Sequence, residues 1–335
     1  MRRLRVVAIS LGAACIAASC ASSHDTTTAR TVGALSAVNH ATAPPVLNPP
    51  NRKPKWPCDN SDPTPSLRPV GPLPAPEQMP AGTFMQRIQQ RGRLIVGVDQ
   101  NTTGFGYRQA NGEIDGFDVD LLREVARAIF GDPAKIEFVS VTTSERVPAV
   151  ASGQVDIVAS LLSITCTRWQ QIDFTTEYYR TEQGVLVRSN SSIHQLADLG
   201  GKKICAIRGS TSIAAINKLI KGTGLKATID PVDLRPDCLV DLQDGAADAI
   251  TSDNTILDGF RVQDPQTELL SLSEPIEAER YGMGISIAHP DFVRFVNAVL
   301  EELRANGLYE QLYTQDLTTG LGIPYVAPPP PEYRS

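Results

Sequence analysis

The stretch Ser163-Ile-Thr-Cys-Thr-Arg168, followed by Ile172-Asp-Phe-Thr-Thr-Glu-Tyr-Tyr179, decides the interpretation of this chain. Small polar residues follow an apolar run and lead to a single arginine, after which an aromatic-rich strand is predicted. The guanidinium of Arg168 is planar and always charged, so it can hold a carboxylate through two parallel hydrogen bonds. The hydroxyls of Ser163 and Thr165 can satisfy the remaining lone pairs. An arginine on a solvated helix start fits the same pattern, so the rest of the chain must decide between the two.

Outward from this stretch, short apolar runs alternate with amphipathic segments. The runs at 93–98 and 136–139 are predicted to be strands. Residues 118–130 are predicted to form a helix with one apolar face that Gly131 ends, and 146–152 a second helix. Strands that alternate with helices predict an α/β fold with parallel sheets covered on both faces.

Two stretches repeat one pattern, Gly-Gln-Val-Asp-Ile-Val-Ala-Ser at 153–160 and Gly-Ala-Ala-Asp-Ala-Ile-Thr-Ser-Asp at 245–253. In both, a glycine ends a helix and a strand delivers small polar residues at its carboxyl end, where parallel sheets bind ligands. We therefore predict two lobes facing across a cleft, with Ser163 and Arg168 on one side and Asp253 on the other. Because this glycine-aspartate pattern is also a common helix-to-strand turn, the repeat supports the architecture more than the function.

A candidate anion site lies where Arg208-Gly209-Ser210-Thr211-Ser212 opens a predicted helix. Free backbone N–H groups and the positive helix terminus favour an anion there. A helix start that is merely capped by Ser210 or Thr211 fits the sequence equally well.

The N-terminus predicts export. Arginines at positions 2, 3 and 5 precede an apolar run at 6–18, so residues 1–19 are interpreted as a signal peptide. The run ends in Ala17-Ala18-Ser19-Cys20, which resembles a bacterial lipobox with alanine where leucine is more usual. The resemblance implies that Cys20 is lipidated and anchors the protein on the outer face of the cell membrane, whereas an ordinary cleavage site is the alternative.

Both ends of the remaining chain are rich in proline. Thirteen prolines fall between Pro44 and Pro80, so 20–82 is predicted to be a lipidated cysteine followed by a disordered tether. A Pro-rich tail is predicted at 321–335. The folded part between them is long enough for two lobes of about a hundred residues each.

Charge and cysteine usage argue against a nucleic-acid partner and against a metal site. The net charge is -6 and no basic block lies outside the first residues, so no nucleic-acid partner is predicted. Four cysteines, Cys58, Cys166, Cys205 and Cys238, remain for an oxidising compartment, which predicts two disulfides and permits three pairings. We favour Cys205–Cys238, since both lie in one predicted lobe, which leaves Cys58–Cys166. No Cys-x-x-Cys is present, so neither metal nor cofactor is predicted.

Five motifs in this order resemble the bacterial extracellular solute-binding proteins of family 3, over about residues 91–317. They are Gly116-Phe-Asp-Val-Asp-Leu121, the stretch at 163–179, Asp198-Leu-Gly-Gly-Lys202, Gly209-Ser-Thr-Ser212 and Tyr281-Gly-Met-Gly284. The tether, lipobox and extracytoplasmic cysteines resemble the glutamine-binding lipoproteins of mycobacteria and their relatives. One departure is 313–317, Tyr-Thr-Gln-Asp-Leu, which lacks a tryptophan that is common there.

The resemblance implies a two-lobed periplasmic-binding-protein type II fold, with lobe 1 at 83–186 and 286–320 and lobe 2 at 187–285. Two hinge strands, at 185–188 and 284–287, would join the lobes. Arg168 would hold the α-carboxylate of an amino acid with N–H groups near Gly209, Ser210 and Thr211, while Asp253 and Ser163 would hold the α-ammonium. Phe105 and Tyr107 would wall the pocket.

The selectivity for the ligand side chain is divided between three residues. Arg146 matches an arginine with which glutamate- and aspartate-binding relatives hold the side-chain carboxylate, and Thr143 a small hydroxyl contact. Asp99 matches an aspartate that glutamine binders aim at the side-chain amide. Because a neutral amide would leave a buried Arg146 without a countercharge, the acid is slightly favoured over its amide. Asp99 is expected to pair with Arg146 or with the ammonium.

The function that follows is a monomeric, non-enzymatic amino-acid-binding lipoprotein that serves the membrane permease of an ABC importer. A sensor lipoprotein that reports to a membrane receptor would carry the same binding domain, so sequence cannot separate the two. An enzyme on this fold is disfavoured, because no nucleophile elbow, His-Glu-x-x-His or phosphate loop occurs.

Overall fold

The computed structural model describes residue 58 and residues 63–334. The predicted signal peptide, Cys20 and most of the predicted tether lie outside the described residues. Within the described part of the chain, no helix has the length and apolarity needed to cross a membrane.

In the part of the chain that the structure describes, sixteen strands are distributed over four sheets. They are β1 Ser66–Leu67, β2 Leu94–Val98, β3 Asn101–Thr102, β4 Gly106–Arg108, β5 Ile114–Asp115, β6 Ile136–Ser140, β7 Ile157–Val158, β8 Ile172–Phe174, β9 Tyr179–Arg188, β10 Lys203–Ile207, β11 Thr228–Val232, β12 Ala249–Asp253, β13 Thr267–Leu269, β14 Ala278–Tyr281, β15 Gly284–Ser286 and β16 Tyr333–Arg334.

Residues 63–334 also contain ten α-helices, together with a 3₁₀ helix at Leu196–Leu199 and a π-helix at Thr314–Thr318. They are α1 Phe84–Arg91, α2 Phe117–Phe130, α3 Arg146–Ala151, α4 Cys166–Trp169, α5 Thr211–Thr223, α6 Arg235–Asp244, α7 Asn254–Gln263, α8 Pro290–Ala305, α9 Leu308–Tyr313 and α10 Thr319–Leu321.

Lobe 1 is built on a five-stranded sheet in the order β6-β2-β7-β15-β8. The apolar run of β2 is buried because it is central, with β6 and β7 parallel to it on either side. Helix α2 packs its apolar face on this sheet and ends at Gly131, which adopts the left-handed conformation that the sequence predicted. The carboxyl ends of β2 and β7 therefore open on the same edge.

Lobe 2 repeats the plan with the order β11-β10-β12-β9-β13. Strands β11, β10 and β12 are parallel, β9 runs antiparallel to β12, and β13 runs antiparallel to β9. Since β10 leads into α5 and β12 leads into α7, the ends of both strands deliver their polar residues to one edge. This arrangement confirms the two-lobed α/β fold of type II.

The crossing between the lobes differs from the predicted position. The first half of β9 pairs with β14, from Tyr179 opposite Tyr281 to Glu182 opposite Ala278. The second half of β9 already belongs to the lobe 2 sheet, and β15 already belongs to the lobe 1 sheet. The crossing strands are thus 179–182 and 278–281, not 185–188 and 284–287, because the apolar residues of the predicted pair lie inside the sheets of the two lobes.

The prediction of disorder is wrong for residues 63–82 and for the tail at 321–334. Strand β1 pairs in parallel with β16, so the two Pro-rich ends form a small sheet on lobe 1. The buried Ser66 hydroxyl donates to the Phe174 carbonyl at 2.6 Å, and the Asn297 amide donates to the Leu67 carbonyl at 2.7 Å. Proline content marks a segment that cannot build its own core, but such a segment can still dock when its carbonyls and few apolar residues find partners.

Both favoured disulfide pairings are confirmed. Cys205–Cys238 joins β10 to α6, and Cys58–Cys166 joins the N-terminal segment to α4. Next to the second bridge, the Trp169 indole N–H donates to the Pro63 carbonyl at 2.8 Å, and the Arg334 guanidinium lies 4.2 Å from the Trp169 ring centroid. The N-terminal segment and the tail therefore brace the short helix that carries Arg168.

Replacing Cys58 and Cys166 together by serine is expected to lower the free energy of unfolding by about 2–4 kcal/mol, since the bridge closes a long loop of the unfolded chain. Chemical denaturation of the oxidised protein measures this. Thr167→Ala, an exposed change on the same helix, is the control. An unchanged midpoint and slope in the double serine variant would contradict the bracing role.

Candidate functional site

The polar ends of β7, β10 and β12 enclose a small cavity between the lobes. Its volume is about 10 Å³, close to the space that one water needs. The lining residues come from both lobes: Thr143, Arg146, Leu161, Ser163, Ile207, Ser210, Thr211, Ser212, Arg235, Ser252, Asp253 and Ile256. An amino acid can therefore enter only when the lobes move apart.

Several contacts hold the lobes in this closed arrangement. The hydroxyls of Ser163 and Thr211 lie 3.4 Å apart across the cleft. Gly209 approaches so closely that an added Cβ would lie 2.8 Å from the Ser144 Cα, and its φ is +80°. A glycine is needed here both for the left-handed backbone and for this approach.

Arg168 lies in α4, which starts where the Thr165 hydroxyl accepts from the Arg168 N–H at 3.2 Å. Its guanidinium donates to the Ser163 carbonyl at 2.6 Å and, across the cleft, to the Gly209 carbonyl at 3.1 Å. Burial, helped by the charge of Arg146, lowers its pKa to about 9. Arg168 thus remains charged at neutral pH at the boundary of the two lobes, as a carboxylate clamp requires.

Asp253 ends β12 and is buried at the cavity. The Tyr281 hydroxyl donates to Asp253 Oδ2. Burial raises the pKa of the carboxyl, and the charges of Arg235, Arg146 and Arg168 act in the opposite direction. A fixed anion thus lies in the same small space as fixed cations, which is the charge pattern that a zwitterion needs.

Arg146 starts α3 and is only 2% exposed. Its guanidinium donates to three carbonyls, those of Thr143 at 2.9 Å and of Ser160 and Leu161 at 2.8 Å each. Within the described residues it forms no ion pair with a carboxylate, and burial lowers its pKa to about 10. Asp253 and Glu279 attract Arg146 without forming a direct ion pair with it, so this position favours an anionic group from outside.

The sequence led us to expect that Asp99 pairs with Arg146 or with the ligand ammonium, but the structure pairs it with a different arginine. Its carboxylate forms an ion pair with Arg235 of α6 and accepts from the Thr102 hydroxyl at 2.7 Å and the Asn101 N–H at 2.9 Å. Both members of the ion pair are buried, although they belong to different lobes. Sequence reasoning missed Arg235 because an arginine in the first turn of a helix carries no signal for a buried partner in another lobe.

The predicted anion site at 209–211 lies at the cleft. Ser210 is the N-cap residue of α5, yet it makes no side-chain capping bond, and its hydroxyl donates to the Ile207 carbonyl at 2.6 Å. The positive end of a 13-residue helix therefore points towards the cavity without a side-chain cap.

Only one of the three remaining predicted contact residues reaches the cavity. Thr143 lines the cavity. Phe105, in contrast, is fully buried in an aromatic cluster within the core, with its ring 5.1 Å from that of Tyr179 and 6.0 Å from that of Phe117. Tyr107 is 43% exposed. The structure does not bring these two rings to the cavity wall, because edge-to-face packing inside lobe 1 holds Phe105 instead.

Glu279 is a further charged residue of the cleft that sequence reasoning missed. It lies in β14, two residues before Tyr281, so both side chains point to the same face of the strand. It is only 2% exposed, next to the hydroxyls of Ser163 and Thr211. The period of two from Tyr281 was the available signal. Among the described residues, no cluster of histidine, cysteine and carboxylate side chains is arranged to hold a metal ion.

Comparisons with known proteins agree with this geometry. The model of the family "Bacterial extracellular solute-binding proteins, family 3" matches residues 94–318. The glutamine-binding protein GlnH of an ABC transporter from Bacillus subtilis is 30% identical over 228 residues, 68% of this chain and 81% of that protein. The glutamate-binding protein GluB of Corynebacterium glutamicum is 30% identical over 244 residues, 70% of this chain and 81% of that protein.

Two solved structures show the same fold. A solute receptor for L-cysteine of Neisseria gonorrhoeae has a TM-score of 0.66 at 26% identity and covers 71% of this chain and 95% of its own. An ancestral arginine-binding protein bound to glutamine has a TM-score of 0.61 at 29% identity, with 68% and 98% covered. Relatives with different side-chain ligands thus share one architecture, so the ligand must be argued from the site.

Proposed function

Because the chain belongs to the bacterial extracellular solute-binding proteins of family 3, we propose that it captures an acidic amino acid, or its amide, outside the cytoplasm for an ABC importer. The names of the glutamine- and glutamate-binding relatives support this range of ligands. In this proposal Cys20 carries the lipid anchor, which fatty-acid labelling of wild-type protein and Cys20→Ser would test.

The charges of the cleft support an α-amino acid as the ligand. Arg168 and the uncapped start of α5 offer the donors that a carboxylate needs. Asp253 offers the anion for an ammonium group. A closing cleft pairs both ends of the zwitterion, so neither charge is buried without a partner.

The observation that carries the preference for the acid is the state of Arg146. It is buried at the cavity, and no described carboxylate pairs with it. Asp99, the residue that would receive a side-chain amide, is already held by Arg235 and two further donors. A ligand carboxylate beside Arg146 can form the direct ion pair that Arg146 lacks, whereas an amide cannot.

Capture follows from the movement of the lobes. The two crossing strands allow the lobes to open, and a ligand that binds one lobe first gains the contacts of the other on closure. The interlobe contacts at Thr211, Gly209 and Arg235 are those that closure makes. The closed form is then the one that a membrane permease would recognise.

Titration calorimetry with a panel of amino acids tests the proposal. We expect glutamate or aspartate to bind most tightly, glutamine or asparagine more weakly, and leucine and lysine not at all. The absence of binding by all four acids and amides would refute the proposed function. Tighter binding of the amides would refute only the preference for the acid.

A further inference from the structure

Glu279 lies between the lobes on the crossing strand β14, next to residues that line the cavity. It faces the Ser163 hydroxyl of lobe 1 and the Thr211 hydroxyl of lobe 2. Among the described residues, its Oε1 atom has no hydrogen-bond partner. A buried carboxylate with an unsatisfied oxygen is poorly stabilised in its charged form.

The charged groups around Glu279 act in opposite directions. Asp253, at the end of β12, repels its negative charge, whereas Arg168 of α4 attracts it. Arg146 of α3, which lines the cavity, also attracts it, and Tyr281 is the titratable group on its own strand. Burial and Asp253 prevail, so they raise the pKa of Glu279 to about 7.

The charges of the cleft balance before a ligand enters. Arg235 and Asp99 neutralise each other. Two guanidiniums, Arg146 and Arg168, then face two carboxylates, Asp253 and Glu279. An amide ligand is a zwitterion and adds no net charge, whereas glutamate or aspartate adds one negative charge to a space from which water is excluded.

We propose that Glu279 takes up a proton when the cleft closes on an acidic amino acid, and that this uptake sets the affinity for acids relative to amides. Asp253 does not take this role, because it accepts from the Tyr281 hydroxyl and faces three arginines. A protonated Glu279 can donate to the Ser163 or Thr211 hydroxyl, which leaves the cleft neutral. This inference rests on the proposed function.

Proton uptake by Glu279 makes the affinity for the acid depend on pH in one direction. The additional ligand carboxylate disfavours the charged form of Glu279, so its pKa is higher in the complex with the acid than in the free protein. Between these two pKa values, binding takes up a proton, and affinity for the acid falls as pH rises, by up to tenfold per pH unit. The ligand ammonium is common to both ligands, so its effect cancels in the comparison of glutamate with glutamine.

Calorimetry of the full-length protein in phosphate and in Tris at pH 7 measures the protons taken up, because the two buffers differ in ionisation enthalpy. We expect a larger uptake with glutamate than with glutamine, and likewise with aspartate than with asparagine. Glu279→Gln should abolish this difference and flatten the fall of glutamate affinity between pH 6 and 8. Glu277→Gln, an exposed change close by in the chain, should leave both unchanged.

Equal proton uptake with the acid and the amide in wild-type protein would overturn the inference, and this comparison does not depend on the folding of any variant. A difference that persists in Glu279→Gln would assign the proton to another group and would overturn it as well. If none of the four ligands binds, the proposed function and the inference both fail. If the ligands bind with equal proton uptake, only the inference fails, so the two failures are distinguishable.

Discussion

Arg168→Ala is expected to abolish amino-acid binding while the protein stays folded. The guanidinium is the one cation that reaches both the lobe 1 carbonyl of Ser163 and the lobe 2 carbonyl of Gly209 among the contacts described. Losing one member of a desolvated charge pair costs about 2–5 kcal/mol, which corresponds to a loss of affinity of roughly 30-fold to several thousand-fold. The remaining donors at the start of α5 cannot replace a bidentate contact.

The fold should survive because other groups hold α4. Trp169 is buried and bonded to the Pro63 carbonyl, and Cys166 is tied by its disulfide. Calorimetry gives the affinity, and thermal unfolding monitors the fold. Arg208→Ala removes an exposed arginine next to Gly209 and is the matched control. Wild-type affinity in Arg168→Ala would exclude the clamp role.

Arg146→Gln is expected to remove the preference for the acid. The affinity for glutamate or aspartate should fall by about 100-fold, since the ligand carboxylate loses its cation in a closed cleft. The affinity for the amides should change little, because their neutral side chain never supplied a countercharge. The ratio of the two affinities, measured by calorimetry, isolates this effect from damage to the site.

The ratio of acid affinity to amide affinity also separates loss of the ligand contact from damage to the fold. Arg146 donates to the carbonyls of Thr143, Ser160 and Leu161, so its replacement can loosen lobe 1. Loosening would weaken acids and amides together and would leave the ratio unchanged. An unchanged ratio therefore refutes the assignment of Arg146 to the ligand side chain. Arg127→Gln, on the exposed part of α2, serves as the control.

Local patterns predicted the fold because they depend on neighbours in the chain. The alternation of apolar strands and amphipathic helices, and the glycine that ends α2, are properties of short segments. The disulfide pairs followed from an even count of cysteines and from their distribution between lobes. Parallel strands bring their carboxyl ends to one edge, so Ser163, Arg168 and Asp253 could be placed together before any coordinates.

Local sequence patterns could not predict which charges pair over long distances in the chain. Arg235 and Thr102 are 133 residues apart, and nothing near Arg235 in sequence indicates that it neutralises Asp99 in the other lobe. The docking of the two Pro-rich ends is also long-range, since β1 and β16 pair with each other and β1 bonds to Phe174 and Asn297 in distant parts of the chain.

The sequence by itself placed an arginine and a facing aspartate at a predicted cleft, because residue type and strand position suffice for that. Only the tertiary structure decided which charges neutralise each other. Asp99 is taken by Arg235, Arg146 is left without a carboxylate partner among the described residues, and Glu279 lies beside Asp253. The stability of a buried charge depends on the groups that pair with it, and in this cleft those groups meet only when the two lobes close.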